Sequence, residues 1–116
     1  MKNTQSLKLN RDFRRAYKGD NFVGGYTVVY MKKNKYQFNR LGLRVGKATG
    51  KAVTRNRLKR LMRESYRLME DDIEKGYDFI IVARNRHVKP GGNTGGPSSQ
   101  IQGDIRFAMR KLGLIK

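Results

Sequence analysis

The 116-residue sequence has no cysteine and no tryptophan, one histidine, two prolines, and only 9 acidic residues against 27 basic ones. Without cysteine there is neither a disulfide framework nor a thiolate metal site. A single histidine, His87, with no partner in an evident pattern, leaves no base for nucleophilic or acid–base chemistry, and a surface position is the simpler reading. No apolar run is long enough to span a membrane or to form a signal-peptide core, so the expected setting is the cytoplasm. Both prolines fall in residues 89–98 together with four glycines, which reads as a flexible loop. The rest is expected to form a single domain, residues 1–116, of ordinary size.

The scarcity of acid is uneven. Residues 1–69 hold 19 Lys/Arg against 3 Asp/Glu, while residues 70–116 hold 8 against 6. A net charge of +18 points to nucleic acid, and its distribution puts the binding surface in the first two thirds. Four of the nine acids cluster in Glu70, Asp71, Asp72 and Glu74. Successive acids point around a helix rather than at one point, so a solvated helix end is the better reading than a metal site.

The densest basic stretch is residues 55–69. Wound at about 100° per residue, it gathers Leu58, Leu61, Met62, Ser65, Leu68 and Met69 on one face and Asn56, Lys59, Arg60, Arg63 and Arg67 on the other. Arg55 and Tyr66 fall at one edge of the apolar stripe, and Arg57 at the opposite edge. Lys59 with Arg63, and Arg63 with Arg67, are like-charge pairs at i, i+4 that cost a few tenths of a kcal/mol each. A polyanion facing the helix would offset that cost; a merely solvated face is the alternative.

Around this helix the chain reads as α-β-β-β-α-β-α. Residues 1–9 form a loose basic arm. Asn10 is a candidate N-cap and Asp12 suits the positive end of a short helix bearing Phe13, Ala16 and Tyr17, which Gly19 stops. Residues 26–31 form a strand, and Gly24-Gly25 mark either a bulge or a break from a shorter strand before it. Residues 40–47 alternate, with Leu41, Leu43 and Val45 on one face and Gly42, Arg44 and Gly46 on the other. That second face lies low, so something can approach it closely. The basic helix starts between Lys51 and Arg55 and runs to about Lys75, before Gly76. The uninterrupted apolar run after Asp78, residues 79–83, is a buried central strand. A last amphipathic helix follows a Ser99–Gln102 capping pattern. The expected architecture is α+β, a two-layer sandwich of a small mixed sheet with helices.

The run Gly42-Leu43-Arg44-Val45-Gly46-Lys47, continuing in Gly50-Lys51-Ala52-Val53-Thr54-Arg55-Asn56-Arg57-Leu58-Lys59-Arg60, resembles the signature of the bacterial ribonuclease P protein subunit. Asp12, Phe13 and Tyr17 resemble that family's first helix, and the likeness extends through Asp78-Phe79-Ile80-Ile81-Val82-Ala83-Arg84. It fades in the Gly/Pro-rich loop. The resemblance implies a β-α-β crossover of left-handed sense, against the general right-handed rule. It also implies a protein partner for a catalytic RNA that removes the 5′ leader of precursor tRNA with magnesium ions, bound mainly by the RNA. Arg55, Asn56, Arg57, Lys59, Arg60, Arg63 and Arg67 would contact the catalytic RNA. Phe13, Tyr17, Tyr30, Arg44 and Lys47 would line a cleft for the single-stranded leader, apart from the basic helix. From the residues alone, Phe13, Tyr17 and Tyr30 fit core packing equally well. Ala48 departs from the second lysine many relatives carry. No small-molecule substrate or membrane partner is implied. A general RNA-binding protein or an independent nuclease are the competing functions; the second lacks any visible catalytic constellation.

Overall fold

In a computed structural model, which describes residues 4–46, 50–84 and 98–115, the chain forms β1 (Thr4–Ser6), α1 (Asn10–Tyr17), β2 (Asp20–Val23), β3 (Thr27–Lys33), β4 (Asn39–Arg44), α2 (Ala52–Met69), β5 (Tyr77–Ala83) and α3 (Ser98–Lys111). The five strands make one mixed sheet in the order β1-β4-β5-β3-β2. β4 pairs in parallel with both β1 and β5, while β3 runs antiparallel to β5 and β2. As the apolar run after Asp78 predicts, β5 is central. The α+β fold and its mixed sheet agree with the sequence.

Alternation along the strands builds two cores. Val29, Met31, Leu41, Phe79 and Ile81 face α2 and α3, meeting Leu58, Met62, Tyr66, Ile105 and Met109. Ile80 points the other way, to Phe13 and Ala16 of α1 and to Leu7, with Tyr30 and Val82 alongside. Helices therefore cover both faces, where the sequence suggested two layers. Period-two alternation in β5 gives its other face an apolar residue for the short α1 to cover.

Local differences from the sequence reading have simple causes. Residues 4–6 are not part of a loose arm: they pair with Asn39–Leu41, and Thr4 Oγ1 lies 2.9 Å from the Tyr66 hydroxyl. A three-residue polar strand has no periodicity to detect. Asn10 is the first helical residue and not the cap; Leu9 precedes the helix, and its carbonyl accepts from the N–H groups of Asp12 and Phe13. Gly19 follows α1 for want of room rather than for a left-handed turn, since a Cβ there would lie 2.0 Å from the Met31 carbonyl oxygen. Gly24 and Gly25 separate β2 from β3, the second of the two readings. The helix α2 stops at Met69, six residues before Lys75, and passes through a 3₁₀ turn at Glu70–Asp72. Ile73 is then extended and buried, and Gly76, at φ +93°, turns the chain into β5.

The stripe on α2 is also rolled relative to expectation. Leu68 is 55% exposed, while Tyr66, placed at the stripe's edge, is fully buried. Its ring packs near Phe79 at 6.0 Å between centroids, and its hydroxyl reaches the β1–β4 edge at Thr4 and Asn39. Satisfying that hydroxyl sets the roll of the helix. Ser98, assigned to the 89–98 loop, is the first residue of α3; the other loop residues, His87, Lys47, Ala48 and the side chain of Ser99 lie outside the described residues. At α3, Asp104 accepts from the backbone N–H groups of Gly25, Tyr26 and Thr27 and from the Thr27 hydroxyl. Arg84 donates to the Gly24 carbonyl at 2.6 Å. Together they fasten the β2–β3 turn.

Candidate nucleic-acid interface

The basic helix exposes Asn56, Arg57, Arg60, Arg63 and Arg67, with Arg55 and Lys59 half-buried. The Nε of Arg55 is buried and has no hydrogen-bond partner among the described residues. Arg67 differs from its neighbours, because it is paired with Glu64 one turn earlier. That hydrogen bond raises the Arg67 pKa and lowers that of Glu64. Among the described residues, the positive surface without an ion pair therefore centres on Arg57, Lys59, Arg60 and Arg63.

On the opposite face of the sheet, α1 lies across β3 and β5, with Gly42 of β4 beneath it. A Cβ at Gly42 would come within 2.4 Å of the Phe13 ring, so the low glycine face of β4 receives that ring. Arg44 stands beside it, its guanidinium 4.0 Å from the ring centroid. The Phe13 ring is buried and already carries a cation, so it forms the floor and wall of the cleft rather than a free stacking surface. Tyr17 and Tyr30 meet edge to face at 4.8 Å. Tyr17 is exposed and Tyr30 half-buried, which leaves them as the aromatic surface a ligand can reach. Of the aromatics placed in the cleft from sequence, Phe13 thus follows the core reading, and Tyr17 keeps an open one.

The basic helix and the cleft are not separate, as the sequence reading had them. A depression of about 380 Å³ is lined by Phe13, Gly42 and Arg44 from the cleft, by Lys8 before α1, and by Lys59 and Arg63 from α2. The short β4 strand ends at Arg44, so α2 returns close beside the edge it has just left. Lys8 was missed in the sequence because nothing there shows that residues 4–6 join the sheet.

A buried ion network braces the other side of α1. Arg40 donates from Nε and Nη2 to the two carboxylate oxygens of Asp78, at 2.8 and 2.7 Å, and from Nη1 to Asp12 at 3.2 Å. Asp12 also accepts from Arg15 at 2.8 Å, and Asn34 donates to Asp78 at 3.0 Å. The bidentate bond to Asp78 is the main reason the Arg40 pKa is raised. Asp78 and Asp12 are buried, and two guanidinium groups against two carboxylates leave the cluster neutral. The signal in the sequence was Asp78 itself, one acid heading an apolar strand, since a buried charge requires a partner.

A family model described as Ribonuclease P matches residues 1–111. The chain belongs to the ribonuclease P protein family. It is 39% identical over 116 residues to the ribonuclease P protein component of Alkaliphilus oremlandii, across 99% of this chain and 96% of that one. It is 47% identical over 83 residues to the component of Clostridioides difficile, across 70% of this chain and 73% of the relative. Among solved structures, the ribonuclease P protein of Staphylococcus aureus superposes with a TM-score of 0.80 at 32% identity, covering 96% of this chain and 97% of that one. The Thermotoga maritima ribonuclease P protein gives 0.79 at 28% identity, covering 92% and 96%. The acidic cluster is put to structural use: Glu70 is buried, and Asp72 faces Arg106 at 3.5 Å. Among the described residues no helix is long and apolar enough to cross a membrane.

Proposed function

We propose that this protein is the protein subunit of ribonuclease P, docking on the catalytic RNA through α2 and holding the 5′ leader of precursor tRNA in the α1 cleft. The observation that carries this reading is the shared depression in which Lys59 and Arg63 stand beside Phe13 and Arg44. An RNA bound along α2 and a single strand lying in the cleft would meet there, which is what a subunit joining enzyme RNA to substrate requires. Arg55, Asn56, Arg57, Lys59, Arg60 and Arg63 contact the catalytic RNA, with Arg67 contributing less while it is held by Glu64. Tyr17 and Tyr30 offer stacking surface and Arg44 a cation for the phosphates, and Lys47 is assigned to the same cleft from the family resemblance. Stacking on aromatics with cations alongside holds a single strand with little sequence preference.

Magnesium in this reading is carried by the RNA, and the hydrolysis is the RNA's. Asp12, Asp78 and Asp104 are each engaged by guanidinium groups or backbone N–H groups, and among the described residues no three His, Asp or Glu side chains converge. The protein's own contribution is positioning and charge. Its work with precursor tRNA places it in the cytoplasm.

Reconstitution with the catalytic RNA tests the reading. Tyr17→Ala is expected to weaken precursor tRNA binding about five- to a hundredfold, from stacking at roughly 1–3 kcal/mol per base. Mature tRNA affinity, assembly with the RNA and melting temperature should stay unchanged. Equal loss for both tRNA forms together with a lowered melting temperature would return Tyr17 to a packing role. Failure of the wild-type protein to stimulate 5′ cleavage by its RNA would sink the proposal as a whole.

A further inference from the structure

The cleft occupies only one side of α1. On the other side lies a larger depression, about 570 Å³, lined by Arg11 and Arg15 from α1, by Lys33 at the end of β3, by Lys35 and Tyr36 from the turn that follows, and by the ion network at Arg40. The network is neutral, and Arg11, Lys33 and Lys35 form no ion pair among the described residues, so the walls keep a net positive charge. Lys33 and Lys35 are exposed, and Tyr36 leaves 49% of its surface open while its ring rests near Phe38 and Arg40. The two sides are joined. The depression at the cleft shares Ser6 and Lys8 with one of about 480 Å³ at the start of α1, which in turn shares Leu9, Asp12 and Arg40 with the 570 Å³ depression. The three depressions therefore adjoin through shared walls and form a trough from Arg44, around the N-terminal end of α1, to the β3–β4 turn. Cations stand along it at Arg44, Lys8, Arg11, Lys33 and Lys35, and an aromatic ring at its far end.

We propose that this trough carries the leader onward, so that nucleotides beyond those in the cleft pass around the start of α1 and are held by Lys33, Lys35 and Tyr36. The inference rests on the reading that the cleft takes the leader. A spaced row of cations with an open ring is the arrangement that tracks the backbone of a flexible single strand and packs against its bases. A rigid duplex cannot turn around a helix end of this size.

The test uses the reconstituted enzyme and precursor tRNAs with leaders of increasing length, at fixed magnesium and at several salt concentrations. Wild-type affinity should rise as the leader lengthens past the cleft. The double substitution Lys33→Ala/Lys35→Ala should abolish that rise and make the log–log salt slope shallower by about 1.4, two phosphate contacts at about 0.7 each on a single strand. Tyr36→Ala should cost the long leader about fivefold or more, with short-leader affinity, mature tRNA affinity and melting temperature unchanged in all of these variants. The proposal is overturned if wild-type affinity ignores leader length. It is equally overturned if the variants lose affinity for short-leader and mature tRNA alike, which would assign these residues to the catalytic RNA. Tyr17→Ala with the short leader reads the cleft alone. Its effect persisting beside silent Lys33, Lys35 and Tyr36 variants would end the extension and leave the cleft assignment standing.

Discussion

The two faces of the sheet are closed in different ways. One is covered by α2 and α3, helices of 18 and 14 residues, which bury Phe79, Ile81, Met62, Tyr66 and Met109 completely. The other has only the 8-residue α1, a small apolar contact around Phe13, Ala16 and Ile80, and a charged network in place of further hydrophobic area. The first face is a sealed core. The second is sealed only along the helix axis and leaves troughs on both sides of it. A sheet that must offer both a stable body and an open binding surface can do so by giving each face a different amount of cover.

If the thin face is held by charge, Arg40→Ala should do the most damage. It leaves Asp78 and Asp12 buried with a cation missing, and removing one partner of such a pair costs about 3–5 kcal/mol. Thermal or denaturant unfolding measures it; a change under about 1 kcal/mol would mean that α1 is held by its apolar contacts alone. Gly42→Ala probes the closest approach between α1 and the sheet. A Cβ would drive into the Phe13 ring, costing about 1–3 kcal/mol as overpacking does, and should weaken precursor tRNA binding through the displaced ring and Arg44. Unchanged stability and affinity would show that α1 rides loosely.

Arg60→Ala tests the comparison from the sealed side, where the exposed surface of α2 should act by charge and not by packing. Stability should hold, affinity for the catalytic RNA should fall, and the salt slope should become shallower by about one contact. An unaltered slope would make this face merely solvated. The smallest effect is expected from Tyr66→Phe, which removes the hydroxyl linking α2 to Thr4 and Asn39, about 0.5–1.5 kcal/mol. Burial raises the Tyr66 pKa, since the dry site disfavours the phenolate. The folded protein then keeps a proton that the unfolded chain releases above pH ~10, so this part of the stability is intact below that pH and falls as pH rises beyond it. Comparing unfolding free energies of wild type and Tyr66→Phe from pH 8 to 11 should show the wild type losing more at the alkaline end.

How far the sequence carried can be judged residue by residue. The sheet's centre was legible because residues 79–83 are apolar without a break, and only a strand covered on both faces tolerates that. The facing of β4 was legible because alternation is a local property: Arg44 does lie opposite Leu43, and the low Gly42 surface does receive a close neighbour, Phe13. The basic surface of α2 was equally local, as was the family, whose motif is a continuous run of residues. Each of these depends on spacings of one to four residues, which the backbone's own periodicity converts directly into direction in space.

What the tertiary structure alone decided depends on pairs far apart in the chain. Thr4 and Tyr66 meet across 62 positions, and their contact makes a strand of an arm that has no strand pattern and rolls α2 until Tyr66 is inside and Leu68 outside. Arg40 and Asp78 are 38 positions apart, and no local rule pairs them before β4 and β5 are known to be neighbours. The aromatic residues show the division most plainly. Sequence left Phe13 and Tyr17 equivalent, four residues apart on one helix face, and the sheet separated them. Gly42 took in the first ring and buried it, while the second met Tyr30 edge to face and stayed partly open. Burial belongs to what packs across from a side chain, and the partner is fixed only when the whole sheet is assembled.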